Sequence, residues 1–144
     1  MLGAEESGGI GFPELMPERD GIAAGMMVLE LLAMERLSIK KLIAKLEREY
    51  GPHRYDRVDL SYPLEHRAQL MEALQQNPPG KLLRSPVTEL KTFDGIKVVA
   101  ADGSWLMWRG SGTEPVLRVY AESSSTAAVK SLLRLGVHLT RIGR

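Results

Sequence analysis

Two Asp-Gly pairs, Asp94-Gly95 and Asp102-Gly103, stand between β-prone runs: VTELKTF before the first, IKVVAA between them, and WLMW after the second. Glycine reaches the left-handed backbone that a tight turn needs, so Asp-Gly between such runs is a strong hairpin signal. Two of them in succession commit this stretch to consecutive antiparallel strands. Another apolar run, VLRVYAE, follows the loop RGSGTEP. Upstream, Val58, Leu60 and Tyr62 alternate with polar residues and read as a strand. Pro63 suits the first turn of a helix that reaches about Gln76, with Leu64, Leu70, Met71 and Leu74 as its apolar residues. Asn77-Pro78-Pro79-Gly80 ends it. Ser123 to Thr126 offer caps for a closing helix through Val129, Leu132, Leu133, Val137 and Leu139. From residue 54 the order reads β-α-β-β-β-α. The economical arrangement is an α+β domain, a mostly antiparallel four-stranded sheet with helices on one face.

Residues 1–53 read differently. Residues 3–20 are rich in Gly, Pro and Glu and predict a loop. Asp20 is placed to cap a helix in which Ile22, Met26, Leu29 and Leu32 fall at helical spacing, and Met27, Val28 and Leu31 widen the stripe. A helix so apolar all round is expected to be deeply packed, its methionines serving as core filler. Ser38 is placed to cap a second helix, IKKLIAKLEREY, stopped by Gly51-Pro52. A loop and two helices make no core of their own. Residues 1–53 therefore look like the helical end of a larger α/β domain whose sheet is missing, and residues 54–144 like a domain that closes its own core. With that sheet missing, the expectation for residues 22–35 is self-association or burial against residues 54–144.

The formal net charge of the 144-residue chain is +1, so bulk attraction to nucleic acid or an acidic membrane is not expected, and any anion site must be local. Cysteine is absent, which excludes disulfides and thiol chemistry and is compatible with a reducing cytoplasm. MLGAEESGG has no basic segment followed by an apolar one, and no apolar run approaches a membrane span. The expected location is the cytoplasm, with neither nucleic acid nor membrane as partner. His53, His66 and His138 are scattered and form no zinc motif.

The candidate site residues lie in two loops. In Arg109-Gly110-Ser111-Gly112-Thr113-Glu114-Pro115, a guanidinium offers a planar donor fork and two hydroxyls add short donors. Glycines at 110 and 112 permit conformations that turn successive N–H groups toward one point. Arg118 stands on the face opposite Leu117 and Val119 and can point to the same anion or to Glu114. Two readings of the spacing stay open: an oxyanion cradle, or a long hairpin loop with Arg109 and Arg118 as solvated charges. The loop is neither a Walker phosphate loop nor a nucleophile elbow. The second stretch, AEESGGIGFPE, sets Glu5 and Glu6 beside Ser7 and three glycines. Its carboxylates can accept hydrogen bonds from sugar hydroxyls, or it can be a flexible acidic loop.

RGSGTEP followed by LRVY resembles the phosphate-binding loop of the α-D-phosphohexomutases, the phosphoglucomutase/phosphomannomutase family, whose pattern is R-x-S-G-T-E-P. EESGG followed by PERDGI is similar to the sugar-recognition loop of that family's third domain, G-E-x-S-G, with Ala4 where the pattern has glycine. The resemblance covers nearly the whole chain. It implies phosphate contact by Arg109, Ser111, Gly112, Thr113 and, at a basic position often present, Arg118. It implies sugar contact by Glu5 and Ser7. It implies hexose phosphate (glucose or mannose 1- or 6-phosphate) as ligand and the family's N-terminal domains, in cis or in trans, as partners. The family's phosphoserine and its Mg²⁺-holding D-G-D-x-D-R loop have no match here. The chain is thus expected to bind no cofactor, although Mg²⁺ is implied for the full-length enzyme. It is expected to hold no catalytic residue and to be inactive alone as an isomerase. The other reading is a stand-alone phosphosugar-binding or regulatory module.

Overall fold

A computed structural model describes residues 3–5, 8–13, 18–112 and 114–141. The chain divides into two compact units, residues 1–50 and 51–144.

In the first unit, β1 (Gly3–Ala4) and β2 (Ile10–Gly11) pair antiparallel, Gly3 opposite Gly11 and Ala4 opposite Ile10. The turn between them is closed by Gly8 N–H donating to Glu5 O at 3.0 Å and Glu5 N–H donating to Gly9 O at 2.8 Å. Gly8 takes φ 90°, a value that favours glycine. Asp20 caps α1 (Gly21–Glu35): its carboxylate accepts from the N–H groups of Ile22 at 2.8 Å and Ala23 at 3.0 Å. The helix ends at Arg36, in the left-handed region at φ 53°. Ser38 Oγ accepts from Lys41 N–H at 3.4 Å at the start of α2 (Ile39–Tyr50), and Gly51 at φ 86° follows its end. Lys45 of α2 pairs with Glu35 of α1 at 2.6 Å.

The expected deep packing of α1 is not found. Only Ala24 is buried, and Ile22 is 82%, Met34 76% and Met26 64% exposed. An all-round apolar helix needs neighbours on every side to be buried, and the described residues of this unit supply two short strands and one helix.

The second unit is built on β3 (Arg54–Ser61), a 3₁₀ turn at Leu64–His66, α3 (Arg67–Gln76), β4 (Lys81–Leu82), β5 (Ser85–Lys91), β6 (Ile96–Ala100), β7 (Trp105–Gly110), β8 (Val116–Ser123) and α4 (Thr126–Leu139). Its sheet has six strands in the order β3-β8-β7-β6-β5-β4, antiparallel throughout. The expected four-stranded sheet is therefore too small. The α+β character and the antiparallel pairing stand; the β-prone run VTELKTF forms β5 beside β6 and is a fifth strand that the order β-α-β-β-β-α leaves out, and the two-residue β4 adds the outer edge. β4 is too short to show alternation, and β5 carries a register shift between Val87 and Glu89. Leu82, 1% exposed, anchors β4 to the core.

The strands alternate cleanly where the core lies. Ile96, Val98 and Ala100 of β6, Leu106 and Trp108 of β7, and Leu117, Val119 and Ala121 of β8 are buried in one cluster. Leu70 and Leu74 of α3 and Val129, Leu132 and Leu133 of α4 complete it. Ser125 Oγ caps α4, accepting from Ala128 N–H at 3.2 Å. Trp108, fully buried, donates its indole N–H to Gly136 O of α4 at 3.0 Å. The residues that alternate with this set, Arg109 and Arg118 among them, lie on the opposite face, which is mixed: it also carries Trp105, Met107 and the buried Tyr120. Among the described residues no helix is long and apolar enough to cross a membrane.

Candidate functional site

The Asp94-Gly95 turn sits against the end of β7. Gly95 has φ 105°, and a Cβ there would stand 3.3 Å from Arg109 Cα and collide with Trp108 O. The close approach brings Asp94 to Arg109, whose Nε donates to Asp94 Oδ1 at 3.1 Å. The Asp94 charge holds the guanidinium pKa above its ordinary value, so Arg109 is a fixed cation. Its side chain is 45% exposed and not aimed into the core. Arg118 of β8 lies directly opposite Arg109 in the strand register, so the two side chains leave the same face of the sheet, Arg109 reaching to Asp94 in the turn before β6 and Arg118 toward Asp59 of β3. Arg118 is more enclosed, between Asp59 of β3 and Glu114, each at 3.8 Å. Its buried Nε has no hydrogen-bond partner among the described residues.

Between the arginines the chain folds back on itself. Ser111 N–H donates to Val116 O at 2.9 Å, and Val116 N–H donates to Glu114 O at 2.7 Å. Ser111 Oγ accepts from Glu114 N–H at 3.3 Å, which leaves its own O–H to donate. Pro115 O accepts from Tyr62 N–H at 2.9 Å, tying the exit of the loop to the end of β3. Ser111 is buried and Gly112 is exposed. The structure brings Arg109, Ser111, Gly112 and Arg118 into one loop region; Thr113 lies outside the described residues.

One residue of this region escaped the sequence analysis. Arg67, the first residue of α3, reaches under the loop. Its two terminal nitrogens donate to the backbone carbonyls of Ser111 and of Glu114, the latter at 2.6 Å. Gly110 makes room for it: a Cβ there would overlap the Arg67 stem. No motif marks an arginine that acts from 44 residues away; the glycine at position 110 is the only local trace.

In the first unit, Glu5 Oε2 accepts from an Arg19 terminal nitrogen at 2.5 Å. Gly9 lies beneath this pair, and a Cβ there would stand 2.9 Å from Arg19 Cδ and 3.1 Å from Glu5 Oε2. The hydrogen bond to Glu5 and its charge hold the Arg19 guanidinium pKa above its ordinary value. The pair borders an open cavity of about 470 Å³ lined also by Gly3, Ala4, Gly11 and Glu18. Glu18 has its pKa lowered, first by a hydrogen bond from Arg19 N–H. Ser7 lies outside the described residues. Arg19, like Arg67, was not singled out from sequence. Among the described residues no three His, Asp or Glu side chains gather into a cation site, so these residues do not fit the Mg²⁺ that the resemblance implies for a full enzyme.

Residues 62–134 match the family profile described as phosphoglucomutase/phosphomannomutase, C-terminal domain. The chain belongs to the phosphoglucomutase/phosphomannomutase family. Residues 1–50 match the same family's alpha/beta/alpha domain III, so the chain is a C-terminal part of a phosphohexomutase. It is similar, at 29% identity over 96% of its length, to a phosphoglucomutase/phosphomannomutase of Thermococcus kodakarensis. It is 32% identical over 92% of its length to a phosphoglucosamine/phosphogalactosamine mutase of Sulfurisphaera tokodaii. It spans 28% and 27% of these two relatives. A crystal structure of a phosphoglucomutase/phosphomannomutase family protein from Burkholderia thailandensis shares the fold, with a TM-score of 0.68 at 23% identity over 99% of this chain and 28% of that one.

Proposed function

We propose that the phosphohexomutase chain recognises a hexose phosphate, gripping the phosphate at residues 109–113 and sugar hydroxyls at Glu5 and Ser7. Residues 1–53 are the end of the sugar-binding third domain and residues 54–144 the phosphate-binding fourth. The observation that carries the reading is the pairing of Arg109 and Arg118 in register beside a loop with a serine hydroxyl and a glycine amide. A tetrahedral dianion needs several donors converging on it, and planar guanidinium forks match its oxygens. Arg109 supplies the exposed fork, with Asp94 orienting it. Arg118, already ion-paired with Asp59 and Glu114, adds N–H donors from a second, more enclosed guanidinium.

In the sugar loop, Glu5 is held by Arg19 and accepts hydrogen bonds from paired hydroxyls, while glycines let a flat ligand approach the backbone. These groups hold and orient the far end of a substrate; they do not move a phosphoryl group. In the whole protein, transfer between the 1- and 6-positions of a hexose depends on placing donor and acceptor in line, and this chain contributes the placing. Mg²⁺ would supply charge neutralisation from elsewhere in that protein.

The test is an NMR titration of the chain with glucose 6-phosphate. Amides of residues 109–114 are expected to shift, and Arg109→Met to weaken binding about tenfold or more, the scale of a charge-assisted hydrogen bond. Shifts confined to other residues, or an unchanged affinity in R109M, would overturn the assignment. The chain alone is expected to convert no glucose 1-phosphate.

A further inference from the structure

We infer that Arg67 is the positioning residue of the phosphate loop: it aims the Gly112 amide outward at the anion. This rests on the phosphate-binding reading of that loop. Arg67 donates from one terminal nitrogen to Ser111 O and from the other to Glu114 O, 2.6 Å away. The two carbonyls bracket the loop, so one planar fork pins both of its ends from beneath. Cis peptide bonds are absent among the described residues. In a trans peptide the C=O of one residue and the N–H of the next point in opposite directions. Turning Ser111 C=O inward to Arg67 therefore turns Gly112 N–H the other way. Gly112 is exposed, so an amide turned away from Arg67 is open to a ligand.

Three further features fit a built brace. Gly110 leaves the space that the Arg67 stem occupies, and a side chain there would displace it. Arg67 Nε is buried and without a hydrogen-bond partner among the described residues, so the guanidinium is held at a cost that its two carbonyl bonds must offset. Arg67 opens α3, whose Leu70 and Leu74 are anchored in the core, so the brace stands on a rigid element. A lysine could keep the charge, but it cannot span two carbonyls with a planar fork.

The experiment uses the whole 144-residue chain, ¹⁵N-labelled, with inorganic phosphate and glucose 6-phosphate as probes. Arg67→Met and Arg67→Lys are compared with the unaltered protein. The expected result is affinity lower by about tenfold in R67M, with a loss also in R67K, on the scale of a charge-assisted hydrogen bond. At saturation, the downfield shift of the Gly112 amide should fall by more than half in both variants. A merely structural role would lower the melting temperature and leave that saturated shift unchanged.

If R67M fails to fold, R67K decides alone. An unaltered protein that binds, with variants that bind equally and show the same Gly112 shift, overturns the role of Arg67 and leaves the loop reading standing. An unaltered protein whose residues 109–114 do not respond to either probe overturns the loop reading, and the role of Arg67 falls with it.

Discussion

Replacing Gly136 by alanine measures how closely α4 lies on the strands that carry the loop. The added methyl would stand 2.5 Å from Val119 Cγ1 and 3.0 Å from Leu106 Cδ1, both on fully buried side chains. Carbon atoms sit comfortably about 3.5–4.0 Å apart. Either α4 retreats by about 1 Å, or Val119 leaves its rotamer, and a β-branched side chain has few rotamers to choose from. Such overpacking costs about 1–3 kcal/mol. A retreat also stretches the bond from the Trp108 indole to Gly136 O and strands a buried donor, for about 1–3 kcal/mol more. Against this, alanine gains about 1 kcal/mol in helix propensity, and burying a methyl gains about 0.8 kcal/mol. The net expectation is a loss centred on about 2 kcal/mol, which at about 4–8 °C per kcal/mol for a unit of this size lowers the melting temperature by about 8–16 °C. Both tryptophans, Trp105 and Trp108, lie in β7, so intrinsic fluorescence during thermal unfolding reports on this unit. Gly25 of α1 is the control: a Cβ there meets nothing within 4 Å, so Gly25→Ala should raise helix stability by about 0.5–1 kcal/mol, read by far-ultraviolet circular dichroism. A G136A protein that melts at or above the temperature of the unaltered one would refute the close approach.

The exposed apolar surface of α1 predicts concentration-dependent self-association, which sedimentation velocity should detect and Met26→Lys with Leu29→Lys should abolish; a compact monomer at every concentration would contradict it. Binding of glucose 6-phosphate should tighten several-fold as pH rises through about 6, where a phosphate monoester gains its second charge. Arg109, its pKa held above the ordinary arginine value by Asp94, stays charged across that range and contributes no titration of its own. Calorimetry from about pH 5 to about pH 8 with a flat affinity profile would argue against a dianion as the bound species.

Much of the fold was legible because its signals act over a few residues. The Asp-Gly pairs mark real turns, with Gly95 and Gly103 at positive φ. Asp20, Ser38 and Ser125 cap the helices that follow them, because a cap needs only a side-chain oxygen and the next two or three amides. The alternation of β6 to β8 separates the arginines from the core residues before any neighbour is known. The candidate site was legible in the same way, as a glycine-flanked serine after an arginine.

What lay beyond reach depends on contacts between distant parts of the chain. The pairing of β3 with β8 sets Asp59 beside Arg118, and nothing near either residue announces the other. Arg67 meets the loop across 44 and 47 residues, and Arg19 meets Glu5 across 14. The same helical pattern that makes α1 apolar all round says nothing about whether a neighbour covers it. Backbone preference and side-chain period are properties of a short stretch, so the sequence by itself determined the turns, the caps, the inward and outward faces and the loop. Which charge meets which, and which apolar face is left open, follows from how the elements come together, and only the tertiary structure decided it.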